Sequence, residues 1–279
     1  QGGDFAVDRC EGVNMNIHVD ASCGVYYSLT GNKNKREGKN LVDLSKYDKK
    51  SIGKLFDLAV LPKNITEDDV RGGAKDAVKY NCAAYYVNSY FWTPVVKEEL
   101  AGSDVLIAAG IDFPWGVSPS IMKAFEAEQA VKAGCQALDI TINMSALRSK
   151  MYDKVLQELK DFKAAAQGCL TKGIIEFCHA TLDEIEAVCK MIAEAGLDYA
   201  KTGTGQFDGL DMTQFMKMKE TLKDTDVKLK VSGVKFPRPQ NAYMFLLAGA
   251  DLIGTRAAPD IIENLDLMRS IGLVPPYKA

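Results

Sequence analysis

Histidine is nearly absent from this chain of 279 residues, occurring only as His18 and His179. A histidine-rich metal centre is therefore excluded, and a Ser-His-Asp triad would have to recruit one of those two. Seven cysteines, at 10, 23, 82, 135, 169, 178 and 189, form no CxxC pair. Their odd number and scatter argue against a disulfide framework or a zinc ribbon and for reduced thiols in a cytosol. Cys178 and His179 are adjacent and would face opposite ways on a strand, sharing no ligand sphere. No metal is expected. Long apolar runs are missing too: none approaches the ~20 residues of a membrane-spanning helix. A net charge of -3 gives no general attraction to nucleic acid or an anionic membrane, so neither is expected as a partner. Gln1 in first place implies a trimmed or replaced start, and nothing retained reads as a secretory signal.

What remains is ordinary for a soluble globular protein: 47% hydrophobic and 25% charged residues. The length lies near the ~250 residues of a (β/α)8 barrel. Residues 1–43 stand apart as an N-terminal extension, with a short strand expected at 13–19 and a polar, uncapped loop or arm at 32–40. From about residue 44 the pattern repeats to the end at 279. Short, mostly apolar runs at 55–61, 82–88, 105–110, 137–143, 174–178, 197–201, 227–233 and 250–255 read as strands. Helical segments follow them. Thr66 with acids at 67–69 caps one running to about Tyr80. Thr93-Pro94 opens another, a long one is expected at about 149–167, and Gly196 stops the helix from Thr181 to Ala195. Strands without polar alternation are buried on both faces, as in a parallel sheet. The expected architecture is a closed (β/α)8 TIM barrel, with a doubly wound open sheet as the alternative.

The polar residues then fall in a revealing place. In such a barrel the reaction site is the rim at the strands' C-terminal ends. Asp57, Asn88, Asp139, Asn143, Glu176, Lys201, Lys230 and Arg256 all lie in or just after strand-like runs. Lys201 ends the sixth run and Lys230 the seventh. A buried ammonium is costly unless it is paired or neutralised. Two facing lysines disfavour protonation of both, and the free amine is the form that attacks carbonyls. Asp139 is placed to hold and shuttle the remaining proton. Lys201, Lys230 and Asp139 are therefore the candidate catalytic trio, and the chemistry they suggest is Schiff-base formation. Glycines after strands six to eight, among them Gly205, Gly233 and Gly254, suggest an anion cradle, with Lys235 and Arg256 adding charge. Asp57, Asn143 and Thr202 complete the candidate substrate-binding set. Gly203-x-Gly205 is not a dinucleotide fingerprint, because Asp208 holds the position of its third glycine.

At this point the chain resembles the 2-deoxyribose-5-phosphate aldolases, class I enzymes on a (β/α)8 barrel. The resemblance runs in order through Phe113-Pro-Trp-Gly116, Lys123-Ala-Phe-Glu126, Leu138-Asp139-Ile-Thr-Ile-Asn143, Lys201-Thr-Gly-Thr-Gly205, Lys230-Val-Ser-Gly233 and Ala248-Gly-Ala-Asp-Leu-Ile-Gly-Thr255. It implies that Lys201 forms the imine, that Lys230 beside it depresses its pKa, and that Asp139 relays protons to and from the substrate hydroxyl. The implied reaction cleaves deoxyribose 5-phosphate to acetaldehyde and glyceraldehyde 3-phosphate, with no metal or organic cofactor. The implied partner is a phosphorylated sugar, and a homodimer is consistent with the family. Three departures stand out. Val234-Lys235-Phe236-Pro237 follows a single glycine after strand seven, Arg256-Ala257-Ala258 replaces small hydroxyls after strand eight, and Tyr86 stands where many members carry cysteine. Two other readings compete: a related class I aldolase for a different phosphorylated sugar or keto acid, and a barrel that binds a sugar phosphate without catalysis. Retention of three buried charges speaks against the last.

Overall fold

The structure, a computed structural model, describes the backbone of residues 15–20 and 24–29 together with residues 41–278. Two compact units result, residues 1–40 and 41–279. In the first, β1 (Met15–Asp20) pairs antiparallel with β2 (Gly24–Leu29), Met15 opposite Leu29. The expected strand there is thus half of a hairpin. The expected polar loop at 32–40 lies outside the described residues.

The second unit is the barrel. Its strands are β3 (Phe56–Val60), β4 (Ala84–Val87), β5 (Leu106–Ile111), β6 (Ala137–Thr141), β7 (Leu170–Ile174), β8 (Tyr199–Lys201), β9 (Lys228–Ser232) and β10 (Leu252–Thr255). They close in the order β10-β3-β4-β5-β6-β7-β8-β9, all parallel. The open-sheet alternative is thereby dismissed. Because side chains alternate across a strand, each strand sends one set outward and one set in. Outward go Phe56, Leu58, Leu138, Ile140, Leu229 and Val231, all buried under the helices in the main core. Inward, Ala84, Tyr86, Ala108 and Ala137 make a small second cluster inside the barrel. On that same inner parity lie Asp57, Asp139, Lys172, Lys201 and Lys230. Small residues at the bottom of the barrel leave room for long polar ones above.

Helices fill the returns. α1 (Glu67–Lys79) starts with a capping box, Thr66 and Asp69 exchanging bonds with each other's backbone. Next come α2 (Thr93–Glu99) and α3 (Ser120–Ala133), the latter ending at Gly134 with φ 107°. The long helix expected at 149–167 is two pieces, α4 (Met144–Arg148) and α5 (Tyr152–Ala165), separated by Lys150 at φ 56°. α6 (Leu182–Glu194) has a Thr181–Glu184 capping box. α7 (Met212–Leu222), α8 (Arg238–Ala248), α9 (Ala258–Glu263) and α10 (Leu265–Ser270) complete the ring.

One strand differs from expectation. The fifth barrel strand is Leu170–Ile174, not 174–178. The apolar run read as a strand is bent away at Glu176, whose φ is 58°, and residues Phe177–His179 form a 3-10 turn. The true strand looks polar because both faces have specific partners. Thr171 points out, its N–H and hydroxyl donating to Asp198 at 2.8 and 2.6 Å, and Lys172 points in.

Candidate active site

The parallel strands deliver their C-terminal ends to one mouth, and a cavity of about 430 Å3 opens there. That size suits a small ligand with a few ordered waters. Asp57, Tyr86, Asp139, Lys201, Lys230, Ser232, Gly254 and Thr255 line the cavity from the strands, Gly205, Gly233, Lys235 and Arg256 from the loops beyond them, and Arg238 from the start of α8.

Register explains how the charges meet. Asp139 on β6 is paired in register with Lys172 on β7, and Lys201 on β8 with Lys230 on β9. Asp139 is the hub. Its Oδ2 accepts from Lys201 Nζ at 2.9 Å and Lys230 Nζ at 2.8 Å. Its Oδ1 accepts from the Tyr86 hydroxyl at 2.6 Å, with Lys172 Nζ 3.6 Å away. Asp57 Oδ2 lies 2.7 Å from Lys230 Nζ and 3.6 Å from Lys172 Nζ. Those are ion-pair distances, but neither Asp57 oxygen receives an aligned hydrogen bond. Lys172 donates to the Tyr86 hydroxyl at 2.6 Å. The ring of Tyr86 lies under Lys230, whose ammonium sits 4.1 Å from its centroid, a favourable cation–π contact.

Three lysines share two carboxylates in a space that water barely reaches. With every group ionised the cluster would carry one surplus positive charge, and a low-dielectric interior makes that expensive. One lysine should therefore give up its proton. Lys230 is the worst candidate. Burial works against its charge, yet Asp139 and Asp57 outweigh burial and raise its pKa. Lys201 has one carboxylate partner, and its pKa falls to about 8. Burial is the main cause, opposed by Asp139 and reinforced by Lys230. Lys172 is lowered as well, again chiefly by burial, but it does not line the cavity. Asp139 is itself pulled well below the usual carboxylate range, because its three lysines outweigh its burial. The amine that is both easily freed and open to a ligand is Lys201.

The other expected residues divide into two groups. Asn143 and Thr202, expected among the substrate-binding residues, do not line this cavity and make structural hydrogen bonds instead. Asn143 caps α4, its side chain accepting from the Ala146 N–H at 3.0 Å. The Thr202 hydroxyl stitches the end of β8 to β9, donating to Ser232 O at 3.1 Å and accepting from the Ser232 N–H at 3.0 Å. Gly254 does line the cavity, for a steric reason: a Cβ there would lie 2.9 Å from Lys230 Cε and 2.6 Å from Ser232 Oγ. Gly205 and Gly233 have φ of 75° and 84° and pass close to each other. Side chains are strained in that backbone region, so glycine brings the two loops together over the cavity. Lys235 lines the cavity while ion-paired with Asp208, and Arg256 lines it beside Arg238. Glu176 is no free rim acid. Its carboxylate accepts from the Thr204 hydroxyl at 2.6 Å and from the Thr204 N–H at 3.2 Å, bracing the loop after β8.

Sequence reasoning passed over Lys172 and Arg238. A lysine inside a strand is the one signal for Lys172, masked because the more apolar run begins four residues later, at Ile174. Arg238 opens α8 directly after Pro237, where nothing in the sequence marks it as facing the cavity. Among the described residues no three His, Cys, Asp or Glu side chains gather to hold a metal ion, and no helix is long and apolar enough to cross a membrane.

Comparison with known proteins gives consistent relatives. A deoxyribose-phosphate aldolase from Clostridium novyi is 35% identical over 215 residues, which is 77% of this chain and 96% of that protein. Deoxyribose-phosphate aldolase 1 of Mesoplasma florum is 34% identical over 214 residues, 76% of this chain and 96% of the other. Among solved structures, an aldolase designated QR15 superposes with a TM-score of 0.72 at 28% identity, covering 79% of this chain and 98% of that one. No family model matches the chain.

Proposed function

The chain belongs to the deoxyribose-phosphate aldolase family, and from that premise we propose that it reversibly cleaves 2-deoxy-D-ribose 5-phosphate into acetaldehyde and D-glyceraldehyde 3-phosphate through an imine on Lys201. The observation that carries the reading is the placement of Lys201: an amine with a pKa near 8, on the wall of a cavity, hydrogen-bonded to a carboxylate.

The steps follow from that placement. The free amine of Lys201 attacks the C1 aldehyde, and loss of water with uptake of one proton from solvent leaves a protonated imine. A base then takes the proton from the C3 hydroxyl, the C2–C3 bond breaks, and its electron pair moves to the imine nitrogen. Glyceraldehyde 3-phosphate leaves behind a neutral enamine. Protonation at C2 and hydrolysis release acetaldehyde and restore the amine. Because the nitrogen accepts the electrons, the chemistry needs no metal or organic cofactor.

The crowding of cations around Lys201 favours the key step. A protonated imine restores the third cation among two carboxylates, and cleavage to the enamine takes that charge off the nitrogen while the hydroxyl proton passes to Asp139, so the charge moves within the cluster. Lys230, held as an ammonium by Asp139, Asp57 and the Tyr86 ring, keeps the pressure on. Asp139 is the proton acceptor for the hydroxyl, through an intervening water, with Lys230 stabilising the charge it carries. At the other end of the cavity Lys235, Arg238 and Arg256, with the backbone at Gly205 and Gly233, supply the positive charge and N–H groups that a phosphate monoester needs.

The test is direct. The protein should release acetaldehyde from deoxyribose 5-phosphate, and Lys201→Ala should fold and lose at least about 10⁴-fold in kcat, since the amine is the chemistry. Turnover of another phosphorylated sugar in preference to this one would move the assignment to a different aldolase substrate. Substantial turnover by Lys201→Ala would remove its role as nucleophile.

A further inference from the structure

Tyr86 is buried in the middle of the charge cluster, in contact with four of its members. Its hydroxyl accepts from Lys172 at 2.6 Å, so the hydroxyl's own proton is committed to the other side, where Asp139 Oδ1 accepts it at 2.6 Å. The two oxygens of Asp139 are thereby divided. Oδ1 belongs to Tyr86, and Oδ2 to Lys201 and Lys230. Among the described residues the Tyr86 bond is the one aligned hydrogen bond that Lys172 makes, and it keeps that ammonium 3.6 Å from both Asp139 Oδ1 and Asp57 Oδ2, at ion-pair distance but beyond a good hydrogen bond. A phenol held between an ammonium and a carboxylate stays neutral, since burial and the two aspartates all resist its ionisation.

We propose that Tyr86 is a positioning residue of the aldolase site: its hydroxyl anchors one oxygen of Asp139 and holds Lys172 away from it, leaving the other oxygen to Lys201 and Lys230. The inference rests on Lys201 being the imine-forming amine. It concerns a residue that the polar-rim reading does not reach, because tyrosine at that position reads as an apolar strand residue.

The consequence of losing the hydroxyl follows from the neighbours. In Tyr86→Phe the ring remains under Lys230, so the cation–π contact persists. Lys172 loses its acceptor and closes on the vacated Oδ1. Asp139, now bonded by three ammoniums, becomes a poorer proton acceptor and holds the proton of Lys201 less tightly. The other ionisable groups facing the cluster are Asp57 on β3, Glu176 after β7 and Tyr199 on β8.

The experiment measures kcat, KM and the pH profile of deoxyribose 5-phosphate cleavage for the unsubstituted protein and Tyr86→Phe. The proposal expects kcat to fall at least tenfold, KM to stay within twofold because the phosphate end is untouched, and the acidic limb of kcat/KM to move down by half a pH unit or more. A kcat within twofold of the parent, or a lower kcat with an unmoved limb, would overturn it. Should Tyr86→Phe not fold, Tyr86→Gln and Tyr86→Leu take its place. Gln keeps a donor for Asp139 and an acceptor for Lys172, so it should retain clearly more activity than Leu, and equal losses would contradict the hydroxyl's role. If the unsubstituted protein forms no imine on Lys201, the proposed function fails and this inference with it. An intact imine with unaltered Tyr86 variants sinks this inference alone.

Discussion

At the scale of single residues, the site is a problem in charge balance, and its predictions are about protons. Lys201 must be unprotonated to attack, and its pKa is near 8. At pH 7 about a tenth of it is free, so kcat/KM should rise about tenfold per pH unit toward pH 8 and then level. A rate profile flat from pH 6 to 9 would contradict this. Stability should move too. Folding disfavours the proton on Lys201, so the unfolded chain binds it more readily between pH 8 and the ordinary lysine value of 10.5. Stability from this group is therefore fully present above about 10.5 and lost as pH falls toward 8. Lys201→Met removes the surplus cation and leaves two lysines against two aspartates. It should raise the melting temperature below pH 8, with a smaller advantage at pH 10, as thermal scans at the two pH values would show. Asp139→Asn is the opposite case. It strands three lysines with one carboxylate and should cost about 3–5 kcal/mol in a denaturant titration; a loss under about 1 kcal/mol would mean the lysines are already neutral.

At the scale of elements, the legibility of the sequence depended on whether a strand's inner face was apolar. A run such as 105–110 announces itself because valine, leucine, isoleucine and alanine fill both faces, and 137–143 does so because Leu138, Ile140 and Ile142 fill its outer face. Residues 170–174 do not, since their inner residue is Lys172 and their outer threonine is paired with Asp198. The more apolar stretch just after them drew the reading instead. The same blindness hid the purpose of Gly254. It reads as one of several loop glycines, yet its missing side chain is what lets Lys230 pass over β10 to reach Asp57 on β3. Gly254→Ala should therefore lower kcat at least tenfold with a smaller change in KM, as Lys230 is displaced from its carboxylates. A rise in KM alone would assign Gly254 to the phosphate cradle. Lysines 201 and 230 were legible for a plain reason: a cation ending a buried strand has few explanations other than chemistry.

At the scale of the whole molecule, all eight barrel strands and, among the described residues, every residue lining the cavity lie within residues 44–279. We propose that this stretch is the catalytic unit and that removal of residues 1–43 leaves kcat within about threefold. Loss of the cooperative unfolding transition in that truncated chain would show the extension to be part of the fold. The two ends of the cavity are separable in the same way. Arg256→Ala should raise KM for deoxyribose 5-phosphate at least tenfold and leave the slower reaction of unphosphorylated deoxyribose unchanged, a difference worth about 1.4 kcal/mol or more. Equal effects on both sugars would take Arg256 out of phosphate binding. The central claim, that one lysine of three becomes covalently bound to substrate, has its own measurement: borohydride reduction in the presence of deoxyribose 5-phosphate, followed by mass mapping of the modified peptide. The account predicts a single stable adduct on Lys201. An adduct on Lys172 or Lys230, or none from a protein that binds the sugar phosphate, would contradict it.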